Sequence, residues 1–484
     1  MDLFGTAGIR GGVEDRVTPS LALAVGRAVG AEIRSRSEES LSESTPEPTV
    51  VLARDGRVTG PALAAAMEAG LAAGGVEVRR AGRLPTPALA HASRGRYGVM
   101  LTASHNPPTD NGIKLFRDGT EFDRDAERAV EERVADEESV APWDEWTEAT
   151  RTDPLDGYLA DVREYAAEFG APLDGLRVAV DCGNGMSAPA TPTVLRELGA
   201  DVVTLNGNVD GHFPGRGSKP TPETLADLRA FVADANEGVE EPGRPSETGG
   251  DGDEEAEGFA FGIGHDGDAD RIVIVDADGE VVHEDTVLAV LAERYTRESD
   301  ATDPVVVTTP NASGRIDERV REAGGRVERV RLGALHEGIA AARGAGGDVV
   351  FAAEPWKHVH PAHGGWIDGV ASAAVLPRLV AAEGLDGLRA PVTERPYRKV
   401  SVSCPDDRKA AAMEGVAEAL PERFPDADAD FEHGVRAEFP DGSWTLVRPS
   451  GTEPYVRLYA EADDVETLVA AVTEVVAGAV DDAG

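Results

Sequence analysis

Tyr97-Gly98-Val99-Met100-Leu101-Thr102-Ala103-Ser104-His105-Asn106-Pro107-Pro108 sets an apolar run directly against a serine and a proline-locked turn. The run over 97–102 reads as a strand. Ser104 then sits in the loop at a strand's C-terminal end, where open α/β sheets collect their ligands. Asn106-Pro107-Pro108 forces a turn and Asn111-Gly112 signals a second, so Ser104 and Lys114 are expected on one compact, hairpin-like excursion. A serine hydroxyl becomes reactive only beside a base or an electrophile, and His105 and Lys114 are near enough in sequence to help. Taken alone, such a stretch is an ordinary turn about as often as a site, and other segments must decide.

Around this strand the chain alternates short apolar runs with helical patterns. Thr18-Pro19 is a cap and first-turn signal before Leu21, Val25, Ala28, Val29 and Ile33, which share one helix face. Strands are expected over 50–53 and 76–79, separated by an Ala-rich helical stretch over 61–73. Alternation of this kind implies a mostly parallel sheet. The pattern restarts after 136–153, with strands at 177–181 and 201–205 and helices near 155–169 and 194–198. An acidic Gly/Ser/Pro run over 237–258 has almost nothing apolar and is expected to be a disordered surface insertion. A third restart gives strands at 305–309, 327–330 and 349–353 and a helix at 370–382. The final hundred residues change style, with strands near 400–404, 437–439, 445–447 and 456–460 in a smaller α+β domain. The fold class is therefore α/β: three successive mixed α/β domains, 1–150, 151–283 and 284–392, and a C-terminal α+β domain, 393–484.

Composition bounds the partners. The 484 residues carry 89 acidic against 47 basic side chains, a formal charge of -42, which repels nucleic acid and anionic membranes. No run approaches the roughly 18 apolar residues of a membrane span, and no secretory signal opens the sequence, so a cytoplasmic protein is expected. Only Cys182 and Cys404 are present, a poor disulfide framework that fits a reducing compartment. Nearly all positive charge is arginine, with only five lysines, which points to a salt-adapted cytoplasm, since the Debye length falls to about 3 Å at 1 M. Oligomeric state leaves no trace in the sequence.

Three further segments carry chemistry. In His265-Asp266-Gly267-Asp268-Ala269-Asp270-Arg271, three carboxylates at alternate positions lie between the apolar runs 259–263 and 272–275. Oxygen ligands without a Cys or His cluster suit Mg²⁺ or Ca²⁺. The calcium-loop pattern needs Gly sixth and Glu twelfth, where Arg271 and Ala277 stand, so it fails. An acidic turn on an acidic protein is the bland alternative, and against it Arg271 is placed to grip a phosphate bridged to the metal. Arg448-Pro449-Ser450-Gly451-Thr452-Glu453-Pro454-Tyr455-Val456-Arg457 is a tight inter-strand loop with small residues, two hydroxyls and two flanking guanidiniums, suited to a phosphate that is held but not transferred. Ala353-Glu354-Pro355-Trp356-Lys357-His358 ends a strand and brings a carboxylate, an ammonium and an imidazole within five residues, fit to bind sugar hydroxyls and relay a proton; a surface turn is the alternative.

Phe4-Gly5-Thr6-Ala7-Gly8-Ile9-Arg10-Gly11 and the segments 102–107, 266–271 and 448–457, in that order and over essentially the whole chain, resemble the alpha-D-phosphohexomutase family. The resemblance implies four domains around a central cleft. Ser104 would carry the phosphoryl group, and Asp266, Asp268 and Asp270, joined by Ser104 itself, would bind Mg²⁺. The loop at Arg448, Ser450, Gly451 and Thr452, with Arg457, would grip substrate phosphate. It further implies that Arg10, Arg57, His105 and Arg271 contact substrate or phosphate, that Glu354 selects the sugar, and that Lys114 or His358 handles the hydroxyl proton. The family's Glu-any-Ser-Gly-His pattern is departed from at Trp356 and Lys357, and Ala334-Leu335-His336 stands where members often carry a basic residue after Leu332-Gly333. The implied reaction interconverts hexose 1- and 6-phosphates, among glucosamine, mannose and glucose phosphates, with a hexose 1,6-bisphosphate as activator. Two rivals remain at this point: a phosphatase or phosphotransferase with an aspartate nucleophile, and a non-catalytic sugar-phosphate-binding protein.

Overall fold

The computed structural model describes residues 3–5, 8–39, 46–239, 242–245, 256–450 and 453–483. Two compact units divide the chain: Met1–Glu284 with Trp356–Leu388, and Asp285–Pro355 with Arg389–Gly484.

In the first unit one sheet runs in the order Ile9–Gly12, Asp110–Arg117, Tyr97–Leu101, Thr49–Arg54, Glu77–Arg83, Ala149–Arg151, with Thr120–Glu121 paired outside this path to Asp110–Arg117. Thr49–Arg54 is parallel to both Glu77–Arg83 and Tyr97–Leu101, as the helical crossovers Gly60–Ala73 and Thr86–Ala92 require. Asp110–Arg117 is antiparallel to its neighbours on both sides. Helix Pro19–Glu39 starts where expected, the Thr18 Oγ1 accepting the Leu21 N–H at 3.2 Å. It meets Gly60–Ala73 through glycines: a Cβ at Gly26 would lie 2.6 Å from the Met67 carbonyl oxygen. Val25, Val29, Ile33, Leu63, Met67 and Leu71 pack there against Val50, Leu52, Val99 and Ile113 of the sheet.

One expectation is corrected here. Asn111-Gly112 is not a turn, and Lys114 is in the middle of strand Asp110–Arg117. The turn lies earlier, at Pro107, whose carbonyl accepts the Asp110 N–H at 3.0 Å. Glycine serves a different purpose at 112, because a Cβ there would lie 2.5 Å from the Thr102 carbonyl oxygen and 2.6 Å from that of Ile9.

A second sheet in this unit orders Ile272–Val275, Phe261–His265, Arg177–Asp181 and Asp201–Leu205. Phe261–His265 is parallel to Arg177–Asp181 and antiparallel to Ile272–Val275, so the acidic segment is the connection of a hairpin. Helix Gly369–Glu383 belongs to this unit, with the Arg378 Nε donating to the Phe169 carbonyl at 2.7 Å. A short ladder, Arg244–Pro245 with Ala256–Glu257, falls within the expected insertion; 240–241 and 246–255 lie outside the described residues.

The second unit holds parallel strands Arg326–Arg329, Pro304–Thr308 and Asp348–Glu354. It also holds an antiparallel sheet ordered Tyr397–Ser403, Tyr455–Glu461, Trp444–Pro449, Val435–Glu438, Asp428–Asp430. Helices Lys409–Arg423 and Val465–Asp482 cover that sheet through Val416, Leu420, Val472 and Val476. The Arg315 guanidinium and the Glu461 carboxylate are both fully buried, 2.9 Å apart, and Glu461 also accepts the Trp444 indole N–H at 3.0 Å. Cys182 and Cys404 are free and buried. No helix among the described residues is long and apolar enough to cross a membrane.

Removing one partner of a buried ion pair leaves the other charge desolvated and uncompensated. Glu461→Ala should therefore destabilise the second unit by about 3–5 kcal/mol, read as a lowered midpoint in urea unfolding.

Candidate active site

Strand Tyr97–Leu101 delivers Thr102 and Ser104 to the sheet's C-terminal edge, beside the loop after Thr49–Arg54. Ser104 is fully buried and holds a left-handed φ of 52°, a conformation that a non-glycine residue keeps only where surroundings enforce it. The enforcement is visible. The Ser104 N–H donates to Thr102 Oγ1 at 2.9 Å, and that hydroxyl donates to Asp55 at 2.8 Å. Burial pushes the Asp55 carboxyl up to about 6, against the pull of Arg57.

Arg57 is where structure and expectation part. Its Nε donates to Asp55, one terminal nitrogen to the carbonyls of Pro107 and Asp110, the other to those of Ser104 and Asn106. All five donors are engaged and the side chain is fully buried, so it has none left for a phosphate. Arg57 instead holds the serine loop by its backbone.

The Ser104 hydroxyl donates to Asp266 Oδ2 at 2.6 Å and lies 3.4 Å from His105 Nδ1. Asp266, Asp268 and Asp270 are buried, and each offers an oxygen within 4.8 Å of the others. Lys114 Nζ is 3.0 Å from Asp270, 3.8 Å from Asp268 and 3.6 Å from Glu121. Thr86 donates its hydroxyl to Asp268 at 2.6 Å. Burial and the charges of Asp270 and Asp268 hold the Asp266 carboxyl well above the usual carboxylate range. For Asp270 burial acts the same way, but Lys114, Arg271 and Lys357 outweigh it and hold the group low. Burial likewise disfavours the Lys114 ammonium, yet Asp270, Asp268 and Glu121 overcome it and keep the amine charged. Among the described residues, one oxygen each of Asp268 and Asp270 is buried without a hydrogen-bond partner. Three carboxylates, two of them with an orphaned oxygen and with no thiolate or imidazole among them, fit a hard divalent cation such as Mg²⁺.

Positive groups flank the triad. Arg271 Nε is 3.6 Å from Asp270 and 3.9 Å from Asp266. Burial, Arg271 and Arg10 push the His105 imidazole down to about 3, so it is neutral. The structure thus brings together Ser104, His105, Lys114, Asp266, Asp268, Asp270, Arg271 and Arg10. His358, in strand Lys357–Val359, is buried with its Nδ1 2.9 Å from Ser372 Oγ, which His360 also approaches at 2.8 Å. Burial pushes these two imidazoles down to about 3 and about 4.

In the second unit, the Glu354 carboxylate accepts the Gly333 N–H, next to the sequence that departs from the family pattern. Arg448 and Arg457 stand opposite each other on adjacent strands. Arg448 donates to the Tyr459 hydroxyl at 3.1 Å and Arg457 to Glu453 at 3.0 Å, while the buried Ser450 hydroxyl has no partner among the described residues. Gly451 and Thr452 lie outside the described residues.

Sequence reasoning misses Thr86, Thr102 and Asp55, and assigns Arg57 the wrong partner. The Thr86-Pro87 pair signals only a helix start. Asp55-Gly56-Arg57 has the look of a turn, and nothing local shows that both charges fold inward.

A sheet-edge serine facing a buried carboxylate triad is an arrangement suited to phosphoryl transfer. Residues 1–141 match phosphoglucomutase/phosphomannomutase alpha/beta/alpha domain I, residues 156–279 domain II, and residues 400–478 the C-terminal domain of the same proteins. The chain is 40% identical over 472 residues to a probable phosphoglucosamine mutase of Methanopyrus kandleri, covering 96% of this chain and 94% of the relative. It is 38% identical over 469 residues to a phosphopentomutase of Thermococcus kodakarensis, with the same coverages of 96% and 94%. A solved phosphoglucomutase/phosphomannomutase family protein of Burkholderia thailandensis superposes with a TM-score of 0.80 at 25% identity, over 99% of this chain and 97% of that one. The chain belongs to the phosphoglucomutase/phosphomannomutase family, the alpha-D-phosphohexomutases, and is a sugar-phosphate mutase.

Four histidines, His105, His265, His358 and His360, are held at about 3 to 4 by burial, below the ordinary 6.5. Above pH 6.5 neither folded nor unfolded chain protonates them. Between 6.5 and about 4 only the unfolded chain does, so their contribution to stability is lost as pH falls through that window. Histidine-selective NMR should find these four of the ten imidazole signals unmoved from pH 8 to 5.

Proposed function

We propose that the protein interconverts hexose 1-phosphate and hexose 6-phosphate, with Ser104 as the carrier of the exchanged phosphoryl group. The observation that carries this reading is the Ser104 hydroxyl directed at 2.6 Å into a buried triad of carboxylates. In its working form Ser104 bears a phosphate. The phosphorus–Oγ bond breaks as the free sugar hydroxyl bonds to phosphorus and loses its proton, and a proton is returned to Ser104 Oγ, giving a hexose 1,6-bisphosphate and the free serine hydroxyl. That bisphosphate then returns its other phosphate to Ser104. Mg²⁺ held by Asp266, Asp268 and Asp270 would offset charge on the transferring group, the main contribution a site makes to phosphoryl transfer. Lys114, kept charged by its carboxylate neighbours, suits electrostatic stabilisation better than proton abstraction, and Arg271 and Arg10 are assigned to phosphate oxygens. His358 is retained from the family resemblance as the candidate for moving the hydroxyl proton, though its imidazole, pushed down to about 3 and bonded to Ser372, is a weak base as it stands.

A mutase needs a second phosphate position, and Arg448, Ser450 and Arg457, with Gly451 and Thr452, are assigned to it; the unpartnered Ser450 hydroxyl supports this. Glu354 is assigned to sugar hydroxyls. Because a serine without phosphate is idle, a hexose 1,6-bisphosphate activator is part of the proposal. The four-domain division at 150, 283 and 392 is retained as the functional one, and two free buried cysteines suit a cytoplasmic setting. A second reading replaces hexose by pentose phosphate. It is favoured by the 38% identity to a phosphopentomutase together with Trp356 and Lys357 in the sugar-selecting loop.

Ser104→Ala should abolish phosphoryl incorporation from glucose 1,6-bisphosphate while the fold persists; intact mass showing phosphate on the variant refutes Ser104 as carrier. A panel of glucosamine, mannose, glucose and ribose 1-phosphates, assayed with Mg²⁺ at high salt, separates hexose from pentose. Arg457→Ala removes a charge-assisted contact and should raise KM by roughly 10-fold or more. Unchanged KM and kcat for every substrate would remove the loop from the site.

A further inference from the structure

Between Phe213 and Ser218 the chain makes contacts that neither its composition nor the reaction explains. Arg216 is buried, its side chain 5% exposed. Its Nε donates to Asp181 Oδ2 at 2.7 Å, at the end of strand Arg177–Asp181. One terminal nitrogen donates to the His265 carbonyl at 2.7 Å and to the Asp181 carbonyl at 3.2 Å. His265 is the last residue of its strand and immediately precedes Asp266. A single guanidinium therefore ties together two adjacent strand ends at the root of the acidic loop. Asp181 is itself immobilised, since its other oxygen accepts the Gly183 N–H at 2.8 Å and the Asn206 amide at 3.0 Å.

The same segment reaches the serine loop. Ser218 Oγ donates to the Asn106 carbonyl at 2.8 Å. Phe213, left-handed at φ 52° and buried, lies under the Arg57 guanidinium at 5.2 Å, and a Cβ on Gly267 would meet its ring at 3.3 Å. Arg57 in turn holds the Ser104 and Asn106 carbonyls. Residues 213–218 thus touch both loops that must be brought into register.

We propose that residues 213–218 form a strap that sets the distance between the Ser104 hydroxyl and the acidic triad, with Arg216 as its principal positioning residue. The proposal rests on Ser104 and Asp266, Asp268 and Asp270 being the transfer site. A positioning residue of this kind acts through the metal ligands, and losing such support typically lowers metal affinity or activity by about 10- to 100-fold.

The test uses the full-length protein with Mn²⁺ as probe, its binding followed by electron paramagnetic resonance, alongside turnover. Arg216→Met should weaken Mn²⁺ binding by about 10-fold or more and lower kcat at little-changed KM. Arg216→Lys keeps the charge but not the fork that spans two strand ends, and should remain impaired in both readouts. Ser218→Ala should lower the rate of Ser104 phosphorylation while leaving Mn²⁺ affinity unchanged. Arg229→Met, which removes bonds to the Gly279 carbonyl and Glu280 elsewhere in this unit, is the control for a merely structural arginine and should change neither readout. If Arg216→Met does not fold, the lysine variant carries the test. Wild-type Mn²⁺ affinity and kcat in a folded Arg216 variant overturn the strap. Wild-type Mn²⁺ affinity in Asp268→Asn refutes instead the acidic loop as the cation site, which identifies the underlying reading as the one that failed.

Discussion

Three carboxylates within 4.8 Å of one another, buried and with few hydrogen-bond donors, are the constraint around which the first unit is arranged. Like charges at that separation in a poorly solvated place repel strongly, and each also loses its hydration. The chain answers with fixed positive groups brought from elsewhere in sequence. Lys114 comes from a neighbouring sheet, Arg271 from the hairpin itself and Lys357 from the start of strand Lys357–Val359. The residual imbalance, recorded in the raised Asp266 carboxyl and the orphaned oxygens of Asp268 and Asp270, is what makes the loop receptive to a divalent cation.

The site's parts share one construction. Ser104 and the acidic triad each stand just past a strand end, and the backbone behind each is locked by a buried arginine bonded to carbonyls. Arg57 does this for the serine loop and Arg216 for the acidic loop. Guanidinium groups suit the task because their five donors have a fixed planar geometry and stay charged when buried. These two arginines grip backbone rather than ligand, and an arginine read from sequence as a phosphate contact can, like Arg57, have every donor already spent inside the protein.

Much of the fold is legible in the sequence, and for identifiable reasons. Helix Pro19–Glu39 carries a capping signal and an apolar face of the right period, and strands such as Tyr97–Leu101 and Arg177–Asp181 are continuous apolar runs between breakers. Strand Asp110–Arg117 escapes such a reading because its Asn-Gly dipeptide looks locally like a turn, whereas the glycine is needed for close backbone approach on both sides. Within the site, Ser104 and the acidic triad are legible because their chemistry is contiguous in sequence. Asp55, Thr86 and Arg216 are not, since each acts only through partners between two and 182 residues away, which no local pattern encodes.

The pairing of Arg315 with Glu461 spans 146 residues. A chain grows at roughly 5 to 20 residues per second, so this arginine leaves the ribosome on the order of ten seconds before its carboxylate exists. During that interval the parallel strands around Pro304–Thr308 have an unmatched cation at a position that later becomes fully buried. The charge of Arg315 can therefore be matched only after strand Tyr455–Glu461 has been made.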